Sequence, residues 1–248
     1  NININIDSET LHISGYTELE IECEPSSSPD VIFLNARQLN IKSIFLNDSP
    51  TEFQYIDTHK ALEFTGTPLV RDAAQFTSVC EIVLQSPEVI IPVNQNFPLV
   101  VRIDFDVNDD STAIVKKDEV IFTDNKIDGP MSWFPCMGES SQRSSFTLNI
   151  TYDAHMVIIG PGEKKHLNTD TKLGTNTMQF KVTIPVTPKS IGFIYGRFNS
   201  EPLQDMYESM FMYYYQEYDE FKNTLKPVND IFNEVSNILA FDETIFPQ

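Results

Sequence analysis

The sequence predicts a mainly β protein: a large sandwich of antiparallel strands, followed by a short strand-and-helix segment. Three observations carry this reading. Apolar and polar residues alternate over most of the first 200 positions, the period of half-buried strands with one wet face. The alternating runs recur at short spacing with Pro, Ser, Asn, Asp and Gly between them, as in a sandwich or an open, barrel-like pair of sheets. After about residue 200 the period becomes helical. The chain shows no internal repeat.

The elements follow in order. "LHISGYTELEIECE" places Leu19, Ile21 and Cys23 on one face and Glu18, Glu20, Glu22 and Glu24 on the other. "VIFLN" (31–35), "NIKSIFLN" (40–47), "EFQYI" (52–56) and "FTSVCEIVL" (76–84) read as strands. "LVVRIDFDV" sets Val101, Ile103, Phe105 and Val107 against Arg102, Asp104 and Asp106. "EVIFT" (119–123) is followed by "SFTLNITY", which groups Phe146, Leu148, Ile150 and Tyr152. "HMVII" (155–159), "TMQFKVTIPV", which groups Met178, Phe180, Val182 and Ile184, and "SIGFIYG" (190–196) complete the set. "IIGPGEKK" joins two such runs through Gly-Pro-Gly, and a hairpin is expected there.

"SMFMYYYQ" reads as one further strand. Leu225, Val228, Phe232, Val235 and Leu239 then fall at helical spacing, and Pro227 suits the first turn of a helix running to about Ala240. Residues 201–248 hold two lysines and ten acids, a net of 2 − 10 = −8. One strand and one amphipathic helix cannot bury their own apolar faces. The expected division is therefore a sandwich over 1–200, with 201–248 opening a second domain or docking its helix on the first.

Composition narrows the function. Hydrophobic residues make up 41%, with 18 Phe and 9 Tyr, enough for the core of one large domain. No window approaches the run of about 18 apolar residues that a membrane-spanning helix needs. "NININIDSET" has neither the basic start nor the apolar block of a signal peptide. It also lacks an initiator Met, so the chain reads as a trimmed piece. Cys23, Cys80 and Cys136 are odd in number and far apart, which argues against a disulfide framework and for a reducing compartment. The Asn149-Ile150-Thr151 triplet carries little weight without a leader. The net charge is −19, and Asp7, Glu9, Glu18, Glu20, Glu22, Glu24 and Asp30 all precede the first cation, Arg37. Such a chain repels phosphate backbones and anionic lipid. Its best basic cluster, Lys164-Lys165-His166, is short and reads as a solvated turn.

The residue patterns of catalysis are missing. A zinc peptidase needs H-E-x-x-H, and His12, His59, His155 and His166 never approach that spacing. Each reads as a lone strand or loop histidine. Cys136 as a nucleophile would need a histidine partner, and its neighbours are apolar. The absence of C-x-x-C gives no support for a structural zinc. Gly160 and Gly162 lie in a turn, not in a phosphate loop. Asp104 and Asp106 share a strand face, which reads as solvated, not as a cation site. No catalytic, cofactor or metal residue is expected. What stands out is Trp133-Phe134-Pro135-Cys136, holding the only tryptophan. It reads as core: two large rings, a proline ending the incoming segment, and a cysteine acting as a small hydrophobe.

"WFPC", followed by a polar loop, "SFTLNITY" and "HMVIIGPGE", resembles the N-terminal domain of the gluzincin aminopeptidases. "TMQFKVTIPVTPKSIGFIYGRF" is similar to that family's next strands. Two departures stand out. Met137-Gly138-Glu139-Ser140-Ser141 replaces the usual Asp and Pro, and "TDNKIDGPMS" lacks the Gln-containing strand that helps line the enzymes' peptide site. "VIFLNARQLNIKSIFLNDSPTEFQYID", with its "LN-x-x-Q" step, "FPLVVRIDFDV" and "VNDIFNEVSNILAFDETIFP" resemble a non-catalytic branch of the family, the aminopeptidase-like associated factor of the general transcription factor TFIID. Together these segments cover most of the chain in order. The resemblance implies a saddle-shaped sandwich leading into an aminopeptidase-like middle domain, with any zinc helices beyond residue 248. It implies a nuclear scaffold that needs no cofactor or small-molecule substrate and does not engage membrane. Its partners would be other TFIID subunits, and core-promoter DNA only within the full complex. Two other readings stand beside it: the N-terminal domain of an active zinc aminopeptidase, and a free-standing β-sandwich binding protein.

Overall fold

Asn and Ile alternate through the first six residues, and in the computed structural model of the chain this run lies inside the largest sheet. The structure describes residues 1–23, 29–56, 89–94, 97–117, 119–124, 129–137, 142–202 and 211–215. In chain order their strands are β1 (Ile2–Ile6), β2 (Ile13–Ile21), β3 (Val31–Leu34), β4 (Leu39–Leu46), β5 (Ser49–Pro50), β6 (Gln54–Tyr55), β7 (Val89–Pro92), β8 (Leu99–Val107) and β9 (Ile114–Lys117). Then come β10 (Val120–Thr123), β11 (Ser144–Asp153), β12 (Val157–Ile159), β13 (Glu163–Asp170), β14 (Thr175–Val186), β15 (Ile194–Gly196), β16 (Phe198–Pro202) and β17 (Phe211–Tyr215). Single 3-10 turns form at Pro130–Ser132 and Pro188–Ser190. The expected strand 76–84 and the helix near 225–240 lie outside the described residues, as do Cys80 and His59.

The protein is mainly β. Its largest sheet has the order β13–β14–β11–β1–β2–β8–β4–β5; beside it are a four-stranded sheet (β12–β15–β10–β9) and a three-stranded one (β3–β7–β6). The pair β16–β17 forms a sheet of its own. Two compact units result, Asn1–Tyr195 and Gly196–Gln248. The first unit has one core, fed by all three larger sheets: Ile103 and Ile150 from the first, Ile121 and Ile158 from the second, Leu34 and Ile91 from the third. β8 shows the logic. Leu99, Val101, Ile103, Phe105 and Val107 are buried, and the residues between them are not. Each such burial contributes roughly 1.5–3 kcal/mol relative to exposure.

Three sequence expectations need correction, and two features add to the reading. The largest sheet includes one parallel pairing, β1 with β11, Ile2 opposite Leu148. β1 itself was not anticipated as a strand. The Gly-Pro-Gly turn makes no hairpin: β12 belongs to the four-stranded sheet and β13 to the eight-stranded one, so the turn hands the chain between sheets. Gly162 has φ +82°, and a Cβ there would meet the Lys181 carbonyl. Finally, Ile184 is 73% exposed instead of facing inward with Met178 and Phe180. Between Val182 and Val186, β14 spans four residues where β11 spans two, Phe146 to Ser144. The two extra residues loop Ile184 outward, while Val182 and Val186 on either side still pack on the core. The strand expected over 190–196 also shortens to Ile194–Gly196, because Pro188 opens a 3-10 turn just before it.

The outer face of the large sheet is polar. One row crosses six strands: Gln179, Asn149, Asn3, Tyr16, Asp104 and Ser43. Gln179 Nε2 donates to Asn149 Oδ1 (3.0 Å), and Asn149 Nδ2 donates to Asn3 Oδ1 (2.7 Å). Ser43 Oγ donates to Asp104 Oδ2 (2.6 Å). Such cross-strand pairs hold strands in register without any apolar surface.

Candidate functional site

The eight residues Gly129–Cys136 are all buried. Pro130 starts the 3-10 turn, where its missing N–H is not needed, and the Trp133 and Phe134 N–H groups both donate to its carbonyl at 3.1 Å. The turn directs both rings inward. Trp133 meets Phe134 edge-on at 4.4 Å between centroids and Phe193 at 5.6 Å, geometries favoured by the ring quadrupoles. Phe193 is held by Thr123, whose Oγ1 accepts the Phe193 N–H at 3.0 Å.

Two segments far apart in sequence lock together here. Asn35 and Cys136 form a single antiparallel bridge, with N–H···O distances of 2.8 and 3.0 Å. The Arg37 N–H donates to the Met131 carbonyl at 2.7 Å. The "LN-x-x-Q" step thus clamps the "WFPC" segment. Its last residue, Gln38, is buried at φ +51°. The Gln38 Nε2 donates to the Asp110 carbonyl (2.8 Å), and its Oε1 accepts from the Thr112 N–H and Oγ1 (3.0 and 2.9 Å). These bonds fix a left-handed backbone that a non-glycine residue adopts only when its surroundings demand it. Ser111 Oγ ties the same loop to the Ser132 carbonyl at 2.6 Å. Sequence reasoning missed Gln38, Ser111, Thr123 and Phe193 as parts of this node. The only available signal was the Leu34-Asn35-x-x-Gln38 spacing, which by itself names no contact.

Cys136 is 2% exposed, and its main chain is used by the bridge, so it sits in packing. The described histidines do not converge on it. His12 Nε2 lies 3.6 Å from Asp106, His155 Nδ1 3.0 Å from Asp153, and His166 Nε2 3.0 Å from Thr169 Oγ1. Asp104 and Asp106 have protein counter-charges: Arg102 at 3.0 Å and Lys42 at 2.7 Å. Among the described residues no group of three or more His, Cys, Asp or Glu is placed to hold a metal ion. Lys164 and Lys165 lie on the exposed strand β13, not in a turn.

Beside the aromatic node the surface opens. A cleft of about 600 Å³ is bordered by Thr17, Leu19, Phe134 and Phe146, with Glu18, Glu20 and Glu22 along it. A second, of about 270 Å³, continues past Leu19 and Phe146 to Cys136 and Arg143.

A mixed eight-stranded sheet sharing one core with two smaller sheets defines the first unit as an N-terminal domain of the M1 peptidase type. The family model for the Peptidase M1 N-terminal domain matches residues 1–188, and the chain belongs to that family. Among curated proteins it is similar to "Transcription initiation factor TFIID subunit 2" of Drosophila melanogaster, 28% identical over 222 residues. That match covers 78% of this chain and 18% of the relative, so the chain spans less than a fifth of that protein's length. Among solved structures it resembles native yeast LTA4 hydrolase, with a TM-score of 0.69 and 19% identity over 99% of this chain and 34% of that one. It also resembles the M1 zinc metallopeptidase of Deinococcus radiodurans, with a TM-score of 0.59 and 13% identity over 86% of this chain and 44% of that one. At these identities the likeness to the solved structures is one of fold.

Proposed function

We propose that the chain is a non-catalytic scaffold module of a TFIID-type transcription initiation assembly, acting in the nucleus. In this reading it packs against other subunits of the complex and engages core-promoter DNA only as part of it. The observation that carries the reading is the match to TFIID subunit 2 over three quarters of the chain. The likeness to the enzymes runs at 19% identity or less. Residues 201–248 are then the opening of an aminopeptidase-like middle domain. Trp133, Phe134, Pro135 and Cys136 are the domain's structural signature, with no catalytic, cofactor or metal role.

Affinity purification of the tagged full-length protein from nuclear extract tests the assignment. Co-purification of other TFIID subunits is the expected result, and their absence from a stoichiometric preparation would refute it. A second reading, the N-terminal domain of an active zinc aminopeptidase, draws on the family membership itself. It predicts H-E-x-x-H with a downstream Glu in the full-length sequence, and peptidase activity that a chelator abolishes. The scaffold reading predicts neither.

A further inference from the structure

The eight-stranded sheet ends on two very different strands. At one margin β5 is two residues long, and one of them is Pro50, which has no N–H to offer. At the other margin β13 runs for eight residues, Glu163–Asp170, and β14 is its one neighbour in the sheet. Seven of those eight residues are exposed. In an antiparallel ladder the main-chain groups that bond one neighbour alternate with groups that point away from it. Half of the β13 main chain is therefore directed out of the sheet. The ladder with β14 is regular from Glu163 to His166 and shifts between His166 and Asn168. The straight part of the edge covers about 10 Å, at about 3.4 Å per residue.

A second, independent feature is charge. Glu163–Val186 holds four lysines and two acids, a net of 4 − 2 = +2, in a chain whose total is −19. The lysines of β13 lie on both of its sides. Lys164 is opposite the buried Phe180, on the core side, and Lys165 is opposite Gln179, on the polar outer face. Lys181 shares that outer face, opposite Glu163.

We propose that β13 accepts one extended, acidic segment of a partner protein as an added strand. Main-chain bonds along Glu163–His166 supply the affinity. Carboxylates opposite Lys164 and Lys165 supply the selectivity, as alternate side chains do in other strand-addition complexes. A second copy of this chain is the wrong occupant, because two β13 strands paired antiparallel about this stretch set lysines against lysines. The inference requires only the strand order of the sheet and is independent of the scaffold reading.

The test uses the 248-residue chain and three capped hexapeptides: Val-Thr-Glu-Glu-Val-Thr, the same peptide N-methylated at both Glu nitrogens, and Val-Thr-Lys-Lys-Val-Thr. At saturation the first slows amide exchange within Glu163–His166 at least tenfold, and the other two change it less than twofold. In a Lys164→Glu, Lys165→Glu variant that keeps the wild-type circular dichroism, the Lys-Lys peptide protects these amides and the Glu-Glu peptide does not. The proposal is overturned if the Glu-Glu peptide leaves the amides unprotected, if either of the other peptides protects them equally, or if the variant keeps the original preference. Stronger protection by duplex DNA than by the acidic peptide overturns it as well. So does protection that grows with the concentration of the chain alone, the mark of a second copy, or protection in a longer chain whose own residues cover the edge.

Discussion

Trp133 shows how a residue chosen for possible chemistry becomes a residue of packing. Its indole is fully buried between Phe134 and Phe193. Its Nε1 has no hydrogen-bond partner among the described residues. Trp133→Ala is expected to cost about 3–5 kcal/mol, as for other deleted core aromatics, read from denaturant unfolding. An unchanged midpoint would place the ring in a surface role. A different single-residue effect appears at Asp7. Its carboxylate accepts from the Thr10 N–H (2.7 Å), the Thr10 Oγ1 (2.7 Å) and the Glu9 N–H (3.0 Å). The Thr10 main-chain bond is the main cause that holds its pKa below the usual 3.8. A depressed folded-state value means that Asp7 stabilises the fold above the unfolded pKa. The contribution is lost as pH falls through the folded value. An NMR titration of the Asp7 carboxyl with its midpoint below 3.8 checks the sign. Asp153 is displaced the same way, chiefly by the His155 N–H.

At the scale of elements, the strands with an unbroken period were legible and the connections were not. β8 and β11 bury the residues that their alternation selects. β14 follows its pattern only as far as the bulge that exposes Ile184. The Asn–Ile run of β1 has as strict a period as any in the chain, but the sequence reading took from it only the lack of a leader and of an initiator Met. Turn chemistry is open to reading where local geometry decides it, although the sequence reading carried the strand through Asn47. Asn47 and Asp48, both at positive φ, make the two-residue link from β4 to β5, the kind of turn these residues favour. Gly-Pro-Gly was not legible, because whether a turn reverses a strand or carries it to another sheet depends on partners elsewhere in the chain. Gly162→Ala is expected to destabilise by more than about 1 kcal/mol, since both the φ and the Lys181 carbonyl oppose a Cβ. A thermal melt reads this, with Gly174→Ala as the control for positive φ in open space.

At the scale of the whole molecule, the charge of −19 and the exposure of β13 set the expectation for nucleic acid. Lys164 and Lys165 are too few to outweigh the acidic remainder. The isolated chain is expected to bind promoter duplex only weakly, without sequence preference, and to lose that binding as salt rises. Fluorescence anisotropy with initiator and scrambled duplexes checks this, and tight initiator-specific binding at physiological salt would contradict it. The node that joins Asn35 to Cys136 explains why the candidate site was only half legible. Trp133 and Phe134 are conspicuous in composition, whereas Gln38 and Ser111 acquire their roles only through partners 72 and 21 residues away in the chain.

The parallel pairing of β1 with β11 bears on how the chain acquires its shape during synthesis. β1 meets its second neighbour only when residues 148–151 have left the ribosome. Until then the Ile2, Ile4 and Ile6 side chains have one flanking strand instead of two. Nascent chains stalled before about residue 144 therefore hold a half-built sheet with a sticky, open margin, the species that holdase chaperones capture.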